Sequence, residues 1–312
     1  DEVTVSATRA NEKTPTTYTE IKLKEIKQNN FGQDLPYLLN TTPSTVVTSD
    51  AGAGVGYTGI RIRGVDPTRT NVTVNGIPVN DSESHGVYWV NMPDFASSVN
   101  SIQVQRGVGT SSNGAAAFGA SITMETNTIN KEAYSTIDNS FGSFNTFKNT
   151  VKTGTGLLNN KFTIDTRLST IQSDGYVDRS ASKLQSFYLS GAWLGEKSNL
   201  RATMFSGKER TEQAWYGTPE SVINGNQEEI VAYADRNYID GAARENLLNS
   251  GRKYNYYTYD NEVDNYQQDN YQLHFNHSFT TDLKLSAAAH YTRGKGFFEQ
   301  YKADEDFSDY NF

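Results

Sequence analysis

Three stretches in the second half of the chain alternate apolar and polar side chains over about eleven residues each, and few folds accept strands of that length and grammar. In Lys161–Ile171, Phe162, Ile164, Thr166, Leu168 and Thr170 share one face, while Lys161, Thr163, Asp165, Arg167 and Ser169 share the other. Tyr271, Leu273, Phe275, His277 and Phe279 alternate with Gln272, His274, Asn276 and Ser278. Leu283, Leu285, Ala287, Ala289 and Tyr291 alternate with Lys284, Ser286, Ala288, His290 and Thr292. Tyr134–Phe141, Phe144–Thr153, Ser182–Leu194 and Asn199–Thr211 read as further strands of looser alternation. A tilted strand needs about 9–11 residues to cross a bilayer. Two folds bury one face of such strands: a transmembrane barrel and a soluble β-sandwich.

The connections favour the barrel. Gly154–Asn160, Gly195–Ser198 and Thr280–Asp282 are short, whereas the intervening connections are longer, and Glu212 to about Val263 runs past fifty residues. Outer-membrane barrels pair short periplasmic turns with long external loops, so the first strand is expected to run outward. The tight link Phe141–Phe144 is the exception. Composition agrees: 36% hydrophobic residues include 19 Tyr, 15 Phe and 3 Trp, beside 25 Gly. That mixture suits β structure with wet faces and is too aromatic for a disordered chain. No apolar run reaches the ~20 residues of a spanning helix. A net charge of −8 with no basic tract argues against a nucleic-acid partner. The lack of cysteine removes disulfides, zinc ribbons and thiol catalysis. No signal peptide precedes Asp1, as for a cytosolic start or a processed mature chain.

Up to about residue 130 the reading is a small mixed α/β domain. A helix is expected at Glu20–Asn29, capped by Thr19, and another at Gln33–Leu39 with Pro36 in its first turn. Strands are expected at Thr45–Thr48, Ile60–Arg63, Ser101–Arg106 and Ser121–Thr126. Asn75-Gly76 between Val72–Val74 and Ile77–Val79 is a hairpin signal. Gly54, Gly56 and Gly59 match a dinucleotide-binding pattern, but they open a strand, so they read as a tight loop. His274 and His277 fall on opposite faces of a strand and cannot share a metal. His274 and His290 become diagonal neighbours if Phe279 pairs with Leu283. No nucleophile–base set or paired-carboxylate motif stands out, so neither enzymatic activity nor a resident cofactor is expected.

The opening Asp1-Glu2-Val3-Thr4-Val5-Ser6-Ala7-Thr8-Arg9 resembles the TonB box of TonB-dependent outer-membrane transporters. Asp34–Val47, Ile60–Gly64, Val72–Asp81 and Ser101–Thr126 are similar, in order and spacing, to the signature blocks of that family's plug. Phe141–Thr146 resembles the turn between its first two barrel strands. The resemblance implies a box and mobile leader at 1–17, a plug at 18–130, and at 131–312 about seven strands of a barrel of about 22. On this reading the sequence is part of a longer transporter in the outer membrane of a Gram-negative bacterium. It further implies energised import of a scarce nutrient, most often a ferric siderophore, with haem or cobalamin as the alternatives. TonB's C-terminal domain, outer-membrane lipid and a metal-chelate cargo are the implied partners. A surface receptor or adhesin without transport is the reading from another class, and it would have no use for the box.

Residue roles follow from the same resemblance. Asp1, Glu2, Val3, Thr4, Val5, Ser6 and Ala7 would pair with TonB as an added strand. Arg63 and Arg106 would meet barrel glutamates, which this reading places beyond residue 312. The segment Asn80–Val90 would form the outward apex of the plug, where His85, Tyr88 and Trp89 could contact cargo, joined by Tyr57 of the glycine loop. His85 is the candidate axial nitrogen for haem. The alternative is that Tyr88 and Trp89 pack beneath the apex while His85 is solvated.

Overall fold

The computed structural model describes residues 9–108, 118–126, 129–302 and 305–311. The Asp1–Ala7 segment lies outside the described residues. The chain begins with β1 (Thr17–Lys22), α1 (Leu23–Asn29) and α2 (Leu35–Leu38). The expected helix at Glu20–Asn29 therefore starts later, and its first residues are strand. Thr17–Lys22 pairs antiparallel with Ser101–Arg106, which satisfies its backbone and sets Ile21 opposite Ile102 in the core. Lys22, not Thr19, caps α1, and Glu25 at the third helical position accepts the Lys22 N–H at 3.3 Å.

A two-stranded ribbon follows, β2 (Thr45–Ser49) with β3 (Thr58–Ile62). The main plug sheet adds β4 (Thr70–Val74), β5 (Ile77–Pro78), β6 (Ser101–Arg106) and β7 (Ala120–Glu125) in the order β1-β6-β7-β4-β5. Among the described residues only the β4–β7 pairing of this sheet is parallel. Asn75 (φ 53°) and Gly76 (φ 82°) make the hairpin turn with both residues left-handed, as that dipeptide allows. Leu39, Ile62, Val74, Val99, Ile102, Val104, Ile122 and Met124 form the dry centre of this domain.

Seven strands then form one antiparallel meander: β8 (Tyr134–Gly142), β9 (Thr146–Gly154), β10 (Phe162–Ser173), β11 (Ser182–Leu194), β12 (Ser198–Glu212), β13 (Val263–Ser278) and β14 (Lys284–Phe298). Their faces decide between barrel and sandwich. In β10 the apolar Phe162, Ile164 and Leu168 are 49%, 49% and 59% exposed, whereas Thr163 and Arg167 are 2% and 1% exposed. A soluble sandwich buries the apolar face; this sheet turns it outward and packs the polar face on the plug. Tyr188 and Phe205 reach from the sheet into the plug core. Gly207 lets β12 approach the plug, since a Cβ there would overlap the Asn91 carbonyl oxygen. The sheet is open, with β8 and β14 as its edges.

Residues 155–161, 195–197 and 279–283 connect strands at one end, and 143–145, 174–181 and 213–262 at the other. The last of these, expected as a loop, contains α3 (Glu220–Asn224), α4 (Gln227–Arg236) and α5 (Gly241–Asn249). It has its own core of Val222, Ile230, Ala234, Leu247 and Tyr254. This small helical cap covers the end of the sheet that carries the long connections.

Candidate functional site

The plug is held to the sheet by one buried ionic cluster. Asp94 precedes a short 3₁₀ turn, Phe95–Ser98, and adopts a left-handed φ of 49°. Its carboxylate lies 3.4 Å from Lys148 Nζ on β9 and 3.3 Å from Arg167 Nη1 on β10. It accepts from Thr150 Oγ1 at 2.6 Å and Ser169 Oγ at 2.5 Å on the sheet, and from Ser97 Oγ at 2.6 Å and Asn30 Nδ2 at 3.1 Å on the plug. Burial alone would raise the Asp94 carboxyl. Arg167, Lys148 and the Ser169 and Ser97 hydroxyls outweigh it and hold the group at about 2. Such a cluster fixes position more than it adds net stability, because three charges are desolvated to form it.

A second set of contacts seats the hairpin tip. His274 Nε2 pairs with the Asn75 carbonyl at 3.0 Å, Gln272 Nε2 donates to the Val74 carbonyl at 3.3 Å, and Tyr188 donates to Thr126 Oγ1 at 2.9 Å. Phe279 N–H bonds to Leu283, and the β13–β14 register sets Gln272 opposite His290, which makes His274 and His290 diagonal neighbours. His274 is already engaged by the plug, and no group of three or more metal-ligating side chains occurs among the described residues.

Arg106 donates to Thr19 Oγ1 at 2.6 Å, and the Arg63 guanidinium lies against Gly107. Burial, and then the neighbouring Arg63, lower Arg106 from its usual value. Among the described residues neither arginine meets a carboxylate. The leader is less free than expected at its inner end. Arg9 donates to the Ser101 and Thr123 carbonyls at 3.2 and 3.1 Å and pairs with Glu125 at 3.0 Å. Gln103 grips the Ala10 backbone on both sides, accepting its N–H at 2.8 Å and donating to its carbonyl at 3.0 Å. These two residues belong with the plug sheet and not with a mobile leader.

At the capped end, Asp81 accepts the Ser84 and Glu83 N–H groups at 2.7 and 3.0 Å and winds the apical turn. His85 (φ 60°) projects from it exposed, and Tyr88 is half exposed. Trp89 corrects the expected cargo contact: it is 4% exposed and packs in the plug core, so its ring faces are occupied. The Tyr57 hydroxyl donates to Asp264 on β13, and its ring meets Trp215 edge-on at 5.6 Å. Trp215 continues to Tyr257 at 6.1 Å and Phe298 at 5.9 Å, and Tyr257 to Tyr216 at 5.4 Å. Burial first, then the charges of Glu209 and Asp264, push the Tyr57 phenol far up, so it stays a hydrogen-bond donor. Sequence reading missed Trp215, Tyr216 and Tyr257, although the run Tyr254–Tyr259 was there to be noticed.

Beneath Tyr57 the glycine loop turns through Gly54 (φ 76°) and Gly56 (φ 97°) into β3, and no helix follows to receive a pyrophosphate. Asp34 is buried under this loop and accepts from Thr58 Oγ1 at 2.9 Å. Burial pushes its carboxyl up to about 8 against the hydrogen bonds from Thr58 and Gly56. The arrangement offers a stacking and hydrogen-bonding surface at the apex and a charged fastening below it.

Residues 10–121 match the family model described as TonB-dependent Receptor Plug Domain. No curated protein matches the chain. Among solved structures, it resembles the open form of the ferric-catecholate import receptor Fiu from E. coli K12, with a TM-score of 0.67 at 18% identity over 91% of this chain and 39% of that one. The ferric yersiniabactin uptake receptor FyuA from Yersinia pestis has a TM-score of 0.64 at 13% identity, over 92% of this chain and 42% of its own. The copper transporter OprC has a TM-score of 0.60 at 18% identity, over 88% of this chain and 37% of its own. The chain thus spans about two fifths of the length of these structures. Residues 10–121 thus match a TonB-dependent receptor plug domain, and the strands that follow share the fold of the barrels in these structures.

Proposed function

We propose that the protein takes part in energised import of a small metal-chelate cargo across the outer membrane of a Gram-negative bacterium, with TonB as its energy-coupling partner. The observation that carries this reading is the seating of the plug on the inward polar face of the sheet, through Asp94, while Tyr57 meets Trp215 and Tyr88 stands half exposed at the apex. Such a plug closes a pore and offers cargo a floor of flat rings and placed polar groups. Fiu, FyuA and OprC bear names that speak of ferric catecholate, ferric yersiniabactin and copper, which supports metal cargo in general and a ferric chelate first. Haem is the second reading, favoured by the exposed position of His85 at the apex.

Growth of a deletion strain on single sources of ferric chelate, haem or cobalamin tests the cargo. Val5→Pro tests the coupling: it removes one backbone donor from the proposed paired strand, and should abolish uptake while leaving surface binding intact. Undiminished uptake would remove the box from the mechanism. Parental growth of the deletion strain on all three sources would remove the metal-chelate reading.

A further inference from the structure

A cavity of about 470 Å³ lies between the plug and the cap, beside the Tyr57–Trp215 ring contact: in its wall Asp50 donates its N–H to the Tyr57 carbonyl at 3.0 Å, and Ala214 precedes Trp215. The plug contributes Ser49 and Asp50, the β10–β11 connection contributes Tyr176, and the cap contributes Ile223, Arg252 and Tyr254. Backbone bonds from the Tyr176 and Val177 N–H groups to the Ala51 carbonyl, at 2.7 and 3.2 Å, join two of these walls. The volume is far more than an ion needs and falls within the usual range of small-molecule sites.

The two charged groups in it are unspent. Among the described residues, the Asp50 carboxylate has neither a hydrogen bond nor an ion pair, although the residue is half-buried. Burial lifts it to about 6, with no donor or cation to oppose the rise. Arg252 commits its Nε to the Ile223 carbonyl at 3.3 Å, which orients the guanidinium and leaves both terminal nitrogens without a partner among the described residues. The two residues line one cavity yet form no ion pair with each other. A purely anionic ligand would face Asp50 and a purely cationic one would face Arg252. A molecule with both charges, set apart, satisfies each and covers the apolar wall of Tyr176 and Ile223 with its middle.

We infer that this cavity is a binding site for a small zwitterion of the short-peptide kind, its carboxylate held by Arg252 and its ammonium by Asp50. Bound there, the ligand ties the plug loop at Ser49–Asp50 to the cap. This goes beyond the metal-chelate reading and does not need it, because the test below measures binding without uptake.

The probe is trialanine, titrated calorimetrically into the whole protein in detergent beside N-acetyl-trialanine and trialanine amide. The parent should bind trialanine about tenfold or more tighter than either blocked form, since each block removes one charge-assisted contact. Asp50→Asn should lose the preference over the acetylated peptide and keep that over the amide; Arg252→Gln should do the reverse. The retained preference shows that each variant is folded. Absence of trialanine binding by the parent, unchanged preferences in both variants, or loss of both preferences in either one overturns the site.

Discussion

Asp94→Asn removes one charge from a cluster in which Lys148 and Arg167 remain 0% and 1% exposed. Asparagine keeps the shape and tolerates the left-handed φ of 49°, so the backbone is not the variable. The amide can still accept from Thr150, Ser169 or Ser97, but it cannot neutralise two buried cations. Breaking a buried pair by removing one partner costs about 3–5 kcal/mol. Retained hydrogen bonds place this variant at the lower end, and ~3 kcal/mol corresponds to a factor of about 150 in the docking equilibrium of the plug. Hydrogen exchange reads that factor directly. The Ser97 and Val99 amides, which close the turn after Asp94, should exchange about 100-fold faster, while the β11–β12 ladder stays as protected as in the parent. Adding Lys148→Met removes a buried cation left, among the described residues, with only the Asn30 carbonyl at 3.1 Å and Asp138 at 3.8 Å, and should recover part of the loss. Exchange at Ser97 and Val99 within about threefold of the parent would refute the claim that this cluster fastens the plug.

The other expectations are as follows. Because Asp94 is held at about 2 in the folded plug, its contribution is complete above about pH 4 and is lost as pH falls toward 2, so acid should loosen the turn at Ser97–Val99 first. Asp34 has the opposite sign: raised to about 8, it binds its proton more tightly when folded, so plug stability should decline as pH rises from about 4 through 8. Urea unfolding of Asp34→Asn should lack that slope. Trp89→Ala should destabilise the plug by ~3–5 kcal/mol while leaving cargo affinity unchanged, as measured by urea unfolding and direct binding. Gly207→Ala should push β12 off the Asn91 carbonyl and lower stability by ~1–3 kcal/mol in the same urea assay.

Strands β10, β13 and β14 were legible because a period of two survives whichever face is turned outward; the bounds of β10 follow its alternating run, whereas β13 begins eight residues before its run, at Val263, and β14 ends six residues after its run, at Phe298. The Asn75-Gly76 turn was legible for a local reason, its backbone preference. The misread start of α1 had a non-local cause. Thr17–Lys22 carries apolar spacing that also suits a helix, and the strand that claims it lies about eighty residues on, at Ser101–Arg106. The Asp94 cluster was invisible for the same reason, since Thr150 and Arg167 lie 56 and 73 residues away in sequence. Trp89 and Tyr57 could not be placed from composition, because an aromatic with a polar edge suits a core as well as a vestibule. The helices of the cap were legible in principle. Asn226 caps α4 by accepting the Glu228 and Glu229 N–H groups at 3.1 and 3.3 Å, a local pattern hidden inside a segment read whole as loop.

The proposed direction of the strands across the membrane is the claim on which the rest depends, and the absence of cysteine lets one introduced thiol report it. Tyr238→Cys sits in the helical cap at a position 93% exposed, and Thr281→Cys sits in the exposed turn between β13 and β14 at the opposite end of the sheet. A membrane-impermeant maleimide applied to intact cells should label Tyr238→Cys and should reach Thr281→Cys only after lysis. Labelling of Thr281→Cys in intact cells with Tyr238→Cys protected would invert the barrel. Equal labelling of both before lysis would contradict a membrane-spanning sheet altogether.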